Sequence, residues 1–184
     1  HSLTIWAAGI LMAVPLTVGA FQMRNCCGGI SAKKKNLERM LSGIDAAAEK
    51  GVQILAFPEM CLPGYFTSMD GTAEEATSAN RALADVISES AFIQTLQKAA
   101  RDAGMALAFG FCENQDGRFY NSIGVIDADG AWLGTRRKTP LYPWEYETRS
   151  FSEPGFEERA VVFSTRYAPV GVSNCFDGEF PESI

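Results

Sequence analysis

The sequence predicts an α/β fold, in which helices cover the faces of a central sheet. Near the N-terminus, an apolar stretch at 16–22, a helical pattern after Ser31 and a second apolar run at 52–57 follow one another. The run at 52–57 is apolar without alternation, which is typical of a strand buried on both faces. Strand, helix and strand in this order indicate layers around one core. The chain has 184 residues, 47% of them hydrophobic, which is enough for one such domain.

The first strand, at 16–22, is predicted to be buried, and the first helix lies between a loop at 24–29 and Gly51. Ser31 is the expected N-cap, and Gly51 supplies the stop signal. Between them apolar residues recur at intervals of three and four, so one stripe should face the sheet. The stripe consists of Leu37, Met40, Leu41, Ile44 and Ala48.

The middle of the chain predicts one long helix and a further buried strand. Residues 68–77 are polar and are expected to form a loop or a short helical turn. Residues 81–102 show helical spacing that ends before Gly104. The strand follows at 105–111.

Four more strands are predicted in the second half. Strands at 119–127 and 131–134 are joined by Ala128-Asp129-Gly130, in which Asp-Gly suits a tight hairpin turn. Short apolar runs at 161–163 and 168–172 predict the other two.

Cys175 is the candidate nucleophile. Valines at 170 and 172 predict the end of a buried strand, and Gly178 and Pro181 predict a sharp turn beyond it. A cysteine where a strand breaks has backbone N–H groups beside it, which favours nucleophilic catalysis. The alternative is an inert buried thiol, because free cysteine is among the most buried residue types.

The base that would activate this thiol is not a histidine. A thiol attacks as the thiolate, and the single histidine, His1, stands at a terminus without fixed neighbours. Cys-His and Ser-His-Asp arrangements are therefore excluded. The base has to be a carboxylate or an amine, and the stretches 55–65 and 134–141 offer Glu59 and Lys138.

Three segments in order resemble the nitrilase, or carbon-nitrogen hydrolase, superfamily. They are Phe57-Pro58-Glu59 with Gly64-Tyr65 beyond it, Arg137-Lys138, and Cys175-Phe-Asp-Gly-Glu-Phe-Pro-Glu182. The segment 120–130 is similar to the paired strands that precede the lysine in this superfamily. The match covers nearly everything from Leu16 onward and is most similar to the amidase and carbamoylase branches.

The resemblance implies a four-layer α-β-β-α sandwich of the nitrilase type. Because family members continue well past the nucleophile motif, it also implies an N-terminal fragment that is incomplete at the C-terminus. Residues 12–184 would form the carbon-nitrogen hydrolase domain, with Met12 as its start and 1–11 as an upstream or non-native extension. The apolar segment 3–21 leaves an export signal as the alternative, although no basic residue precedes it.

The resemblance also implies a Glu-Lys-Cys triad. Glu59 would be the general base, first for the Cys175 thiol and later for water, and its alternative is a solvated loop carboxylate. Lys138 would stabilise the developing oxyanion, assisted by the backbone N–H of Phe176. Family members usually carry His-Leu two residues past the lysine, where this chain has Pro140-Leu141.

A second glutamate often stands in the family between the lysine and a Pro-Gly pair, which here is Pro154-Gly155. Glu145 and Glu147 both lie in this window, and Glu147 is nearest but out of register by one. It would orient the substrate amide or Lys138, and a solvated carboxylate is the alternative. We assign no chemistry to Arg136 and Arg137 and interpret them as solvated charges. The side chains of four aromatic residues are interpreted as the wall of an apolar pocket or as simple packing: Tyr65, Tyr142, Trp144 and Phe176.

The resemblance implies hydrolysis of a small amide or N-carbamoyl compound through a cysteine thioester, without a metal or cofactor. True nitrilases resemble Cys-Trp-Glu at the nucleophile, whereas this chain has Cys175-Phe-Asp. Three alternatives remain: a non-catalytic scaffold member, an acyltransferase, and a glutaminase of the same superfamily.

The amino-acid composition indicates which classes of partner and which cellular compartment to expect. The net charge of -6 and the absence of a long basic run provide no footprint for nucleic acid or an anionic membrane, so a small-molecule substrate is expected. Five cysteines, without C-x-x-C spacing, suggest reduced thiols in the cytoplasm and a poor zinc site. The resemblance implies a homo-oligomer when full length.

Overall fold

The centre of the fold is a five-stranded mixed sheet. The structure, a computed structural model, describes residues 15–67, 69, 71–155 and 161–181. The strands lie side by side in chain order: β1 Val18–Ala20, β2 Ile54–Ala56, β3 Ala106–Gln115, β4 Arg118–Ile126 and β5 Trp132–Arg137. β1, β2 and β3 are parallel, whereas β3, β4 and β5 are antiparallel. The predicted β4–β5 hairpin is therefore present.

Within the described residues, four α-helices accompany the sheet: α1 Ile30–Ala48, α2 Ala73–Ala82, α3 Ala91–Ala103 and α4 Glu145–Ser150. α1 and α3 contact each other and cover one face of the sheet, because each has one apolar stripe. Burial of these stripes against β3 forms the main core. Its fully buried members include Met40 and Ile44 of α1, Ile93, Leu96 and Ala100 of α3, and Leu107, Phe109 and Phe111 of β3.

A second, two-stranded sheet lies against the opposite face. It consists of β6 Val162–Ser164 and β7 Pro169–Gly171, which are antiparallel. Phe163 of β6 is buried against Ala108 and Val125 of the central sheet. The described residues thus provide a helix layer, a sheet and strands of a second sheet, as in an α-β-β-α sandwich.

The prediction of one continuous helix at 81–102 is wrong. The chain leaves the helical conformation between α2 and α3 and bonds to the edge of β3 instead, where Asp85 bridges to Glu113. The side chain of Asp85 also pairs with buried Lys33 of α1 at 2.7 Å. Ser90 then caps α3 by accepting from the N–H of Ile93. This long-range pairing breaks the helix at a point where the helical spacing of apolar residues continues in the sequence.

Three local predictions also differ from the structure. The N-cap of α1 is Gly29 rather than Ser31, and Gly29 has a φ of 79°, a conformation that suits glycine. The first strand is not buried, since Val18 lies on the edge strand and is 60% exposed. The strand before the nucleophile is not buried either, because Val170 of β7 and Val172 just beyond it are only half-buried.

No helix in the described parts of the chain combines the length and the apolar character needed to span a membrane. The predicted start at Met12, the extension 1–11 and most of the apolar segment 3–21 lie outside the described residues.

Candidate active site

Glu59 lies in a tight turn that follows β2. Phe57 still bonds to β3, while Met60 has a φ of 50°, in the left-handed region. Gly110 of β3 lies directly beneath this turn, and a Cβ on it would stand 2.2 Å from the Met60 nitrogen. Because Gly110 has no side chain, the turn rests on the sheet and holds the Glu59 carboxylate, 19% exposed, at the strand ends.

Lys138 is buried between two carboxylates. It follows β5, and its backbone N–H donates to the carbonyl of Asn121 at 2.8 Å, so strand pairing fixes its position. Its Nζ lies 2.9 Å from Oε1 of Glu59 and 2.6 Å from Oε1 of Glu147. Burial acts to lower the pKa of Lys138, but the charges and hydrogen bonds of both glutamates outweigh burial, so the pKa is raised. The site therefore retains an ammonium.

Glu147 reaches the site from α4, a helix that the sequence did not predict. Burial raises the pKa of this carboxyl, whereas the Lys138 ammonium opposes the rise. Glu145 begins the same helix, but its side chain is 65% exposed and pairs with Arg149 at 2.8 Å. Of the two glutamates in the sequence window, Glu147 is the one in contact with Lys138.

Cys175 begins a 3-10 turn, Cys175–Glu179, shortly after β7. Its φ is 53°, a left-handed conformation that few non-glycine residues adopt. Asn174 and Asp177 hold the turn reciprocally: the Asn174 backbone carbonyl accepts from the N–H of Asp177 at 3.1 Å, and the Asp177 carboxylate accepts from the N–H of Asn174 at 3.0 Å. Cys175 itself is exposed, which makes it reachable by a substrate.

The Cys175 thiol interacts with both charged partners. Desolvation raises its pKa most, followed by the negative charge of Glu59 and a hydrogen bond with that carboxylate. The Lys138 ammonium and the N–H of Phe176 act in the opposite direction. Because the pKa is raised, the resting cysteine is a thiol at neutral pH, and attack requires proton transfer to a base. Glu59 is the carboxylate whose charge raises the pKa of this thiol.

Two asparagines that sequence reasoning missed connect Glu59 to the nucleophile turn. Asn121 of β4 donates to Oε1 of Glu59 at 2.7 Å, and Asn174 donates to Oδ1 of Asn121 at 3.0 Å. Their relative exposures are 1% and 2%. The available signal was an amide inside an otherwise apolar strand, because a buried amide requires hydrogen-bond partners.

Arg136 and Arg137 are not the solvated charges that we predicted. Arg136 has no exposed surface, and its Nη2 lies 3.1 Å from Oδ2 of Asp177. Arg137 binds Glu113 through two N–H groups, at 2.9 and 2.7 Å. The prediction failed because each guanidinium meets a carboxylate, which permits its burial.

The four predicted pocket aromatics pack on one another or on Tyr146. Tyr142 contacts Phe176 and Trp144, with ring centroids 4.7 and 4.4 Å apart. Tyr65 instead packs on Tyr146, with centroids 5.9 Å apart, on the Glu147 side. Trp144 and Tyr146 also line a cavity of about 520 Å³ beside the site.

Comparison with known proteins assigns the family. A family model described as carbon-nitrogen hydrolase matches residues 17–184. The chain belongs to the carbon-nitrogen hydrolase family. The resemblance inferred from the sequence is therefore confirmed.

Similar members of this family include amidases of carbamoyl compounds. The chain is 31% identical to N-carbamoylputrescine amidase from Solanum tuberosum over 169 residues, 91% of this chain and 53% of the relative. It is 33% identical to citrullinase from Francisella tularensis over 150 residues, 81% of this chain and 50% of the relative. The chain thus spans about half the length of these curated relatives.

Solved structures of carbon-nitrogen hydrolases share the fold. The crystal structure of carbon-nitrogen hydrolase from Helicobacter pylori G27 superposes with a TM-score of 0.69 at 20% identity, covering 91% of this chain and 54% of that one. The predicted nitrilase-type α-β-β-α sandwich is therefore confirmed.

Proposed function

We propose that the protein hydrolyses a non-peptide carbon-nitrogen bond of a small amide or N-carbamoyl compound through a thioester on Cys175. The observation that carries this proposal is the lysine between two carboxylates. Lys138 contacts Glu59 and Glu147, and the charge of Glu59 raises the pKa of the Cys175 thiol. A base, a fixed positive charge and an exposed nucleophile are the parts that acyl transfer from an amide requires.

In the first half-reaction, the thiol attacks the carbonyl carbon while Glu59 takes its proton. Asn121 and Lys138 both donate to Oε1 of Glu59, so Oε2 has lone pairs available for the proton. The negative charge on the carbonyl oxygen is stabilised by the Lys138 ammonium and by the N–H of Phe176. The carbon-nitrogen bond then breaks, and the proton held by Glu59 leaves with ammonia or an amine.

In the second half-reaction, water attacks the thioester. Glu59 takes a proton from water, the hydroxyl joins the acyl carbon, and the returning proton regenerates the thiol. Glu147 keeps the ammonium of Lys138 in place and is close enough to orient the substrate amide. Every proton is carried by a residue of the chain, and no step requires a metal or cofactor.

The nucleophile motif supports an amide or ureido substrate over a nitrile, whereas the similar proteins include both amidases and nitrilases. The names of two similar proteins, N-carbamoylputrescine amidase and citrullinase, refer to carbamoyl compounds. The residues after the nucleophile, Phe176 and Asp177, also differ from the Cys-Trp-Glu pattern of nitrilases.

We further propose that the protein works in the cytoplasm as a homo-oligomer on a small molecule, without nucleic acid or membrane partners. The net charge of -6 supports a diffusible substrate. Within the described residues no disulfide joins the cysteines, which supports a reducing compartment. The oligomer rests on family resemblance alone, and light scattering of the purified protein tests it.

The experiment is ammonia release from a panel of aliphatic amides, ω-amides, N-carbamoyl amines and amino acids, and nitriles. The protein translated from its complete reading frame is compared with Cys175→Ala and with Cys27→Ala, a control that removes another exposed thiol. We expect release by the wild type and by Cys27→Ala, and none by Cys175→Ala. If the folded wild type releases no ammonia from any compound, hydrolysis of these classes is wrong, and scaffold, acyltransferase and glutaminase activities are tested next.

A further inference from the structure

The Asp177 carboxylate joins the two segments that carry Lys138 and Cys175. It has no exposed surface, and both of its oxygens have partners. Oδ1 accepts from the backbone N–H of Thr139 at 2.8 Å. Oδ2 accepts from the backbone N–H of Asn174 at 3.0 Å and lies 3.1 Å from Nη2 of Arg136.

The partners of Asp177 lie close to Lys138 and Cys175 in the sequence. Arg136 and Thr139 flank the stretch that contains Lys138, and Asn174 immediately precedes Cys175. One carboxylate therefore fixes the end of β5 to the start of the 3-10 turn. We propose that Asp177 is a positioning residue that sets where the Cys175 thiol stands relative to the Lys138 ammonium and to Glu59.

The conformation of Cys175 explains why such a fixation is needed. A non-glycine residue with a φ of 53° is held there only when its surroundings determine the backbone on both sides. Asp177 supplies this constraint by capping the turn through reciprocal hydrogen bonds with the Asn174 backbone. Without the cap, the turn would relax toward a more common conformation and carry the thiol away from Glu59.

The charge of Asp177 matters as well as its shape. Burial raises the pKa of this carboxyl, and the N–H of Thr139, the Arg136 guanidinium and the N–H of Asn174 oppose that rise. Asparagine has one acceptor oxygen instead of two, so it cannot accept from Thr139 and Asn174 at separate atoms. Substitution by asparagine would also remove the carboxylate that compensates buried Arg136.

Glu113 of β3 provides a matched control, because it pairs with the neighbouring arginine of β5. Arg137, next to Arg136, pairs with Glu113, whose side chain is 3% exposed, at 2.7 Å. Glu113→Gln therefore also removes one carboxylate from a buried ion pair of β5. Glu113 bonds to Ser122 and Arg137, and neither belongs to the nucleophile turn.

The readout is the rate of Cys175 alkylation by iodoacetamide as a function of pH, followed by peptide mass spectrometry on folded protein. Desolvation and Glu59 raise the pKa of Cys175, so a thiol that leaves its position should titrate at a lower pH, nearer to an ordinary cysteine. We expect Asp177→Asn to move the alkylation midpoint downward, and Glu113→Gln to leave it at the wild-type pH.

Hydrolysis gives a second readout, and this part rests on the proposed function. A misplacement of reacting groups by about 1 Å costs on the order of 100-fold, so kcat of Asp177→Asn should fall by about this factor while KM changes little. If the wild type hydrolyses no amide, the proposed function fails, but the alkylation comparison still tests the positioning role.

A second variant covers the case in which Asp177→Asn does not fold. Arg136→Met with Asp177→Asn removes both charges of the pair, which restores folding more readily than removal of one partner. We expect this double variant to fold with the lowered alkylation midpoint. An unchanged midpoint in a folded Asp177 variant, or an equal shift in Glu113→Gln, would overturn the positioning role.

Discussion

Lys138 and Glu59 form an ion pair of 2.9 Å although they are 79 positions apart in the sequence. The pair exists because Glu59 follows β2 and Lys138 follows β5, and both strands end at the same region of the sheet. Glu147 completes the arrangement from α4 at 2.6 Å. A single ammonium thereby holds two carboxylates together in a largely buried site.

Glu59→Gln should make the cysteine more reactive toward iodoacetamide while it abolishes hydrolysis. The charge of Glu59 and its hydrogen bond both raise the pKa of Cys175, so their removal lowers that pKa and increases the thiolate fraction at neutral pH. Hydrolysis should fall by about 10²- to 10⁴-fold because the general base is lost. Alkylation and ammonia release are measured on the same preparation. An alkylation midpoint that stays in place or rises would contradict the assignment of Glu59.

Lys138→Met should have the opposite effect on the thiol. The ammonium lowers the pKa of Cys175, so its removal raises that pKa and slows alkylation at neutral pH. The variant should also lose about 3–5 kcal/mol of unfolding free energy, because buried Glu147 loses its counter-charge. Combining Lys138→Met with Glu147→Gln should restore part of this stability, as measured by urea unfolding, without restoring hydrolysis. Faster alkylation of Lys138→Met would count against the assigned role.

The variants Glu147→Gln and Glu145→Gln test which of the two glutamates of α4 contributes to hydrolysis. Glu147 is buried against Lys138, whereas the Glu145 side chain is 65% exposed. We expect kcat to fall by about 100-fold in Glu147→Gln, since the ammonium loses one of its anchors, and to remain near the wild-type value in Glu145→Gln. Steady-state ammonia release measures both. Similar losses in the two variants would mean that α4 acts through its fold and not through Glu147.

Gly110→Ala should displace the turn that carries Glu59 and thereby lower hydrolysis. A Cβ at this position would lie 2.2 Å from the Met60 nitrogen and 2.6 Å from the Pro58 oxygen, so the turn that carries Glu59 has to move. Overpacking of this kind costs about 1–3 kcal/mol, and hydrolysis should fall with it. Gly171→Ala is the control, because nothing lies within 4 Å of a Cβ there. Thermal unfolding and ammonia release in both variants test the difference.

The sequence predicted the sheet better than the helices between its strands. The run at 52–57 and the Asp-Gly turn at 128–130 have local causes, namely apolar composition and turn chemistry, and both were placed correctly. The break between α2 and α3 depends on Asp85, which pairs with Lys33 from α1 and with the edge of β3. Such pairings are long-range and leave no periodic signal.

In the site, too, residues that belong to a local sequence motif were predicted, whereas residues defined by long-range contacts were missed. Glu59, Lys138 and Cys175 were selected from their sequence motifs, and the structure places them in one cluster. Asn121, Asn174 and the Arg136–Asp177 pair were missed, because their importance lies in which partner each one meets. A buried arginine and an exposed arginine look alike in a sequence, and only the neighbouring carboxylate distinguishes them.

The most direct test of the central claim is the mass of Cys175 during turnover. The wild type is mixed with the best amide of the panel, quenched in acid within the first turnover and digested for mass spectrometry. We expect the peptide containing Cys175 to gain the mass of the acyl group and hydroxylamine to remove it. Product formation without an adduct on Cys175, or with an adduct on another residue, would contradict thioester catalysis at this cysteine.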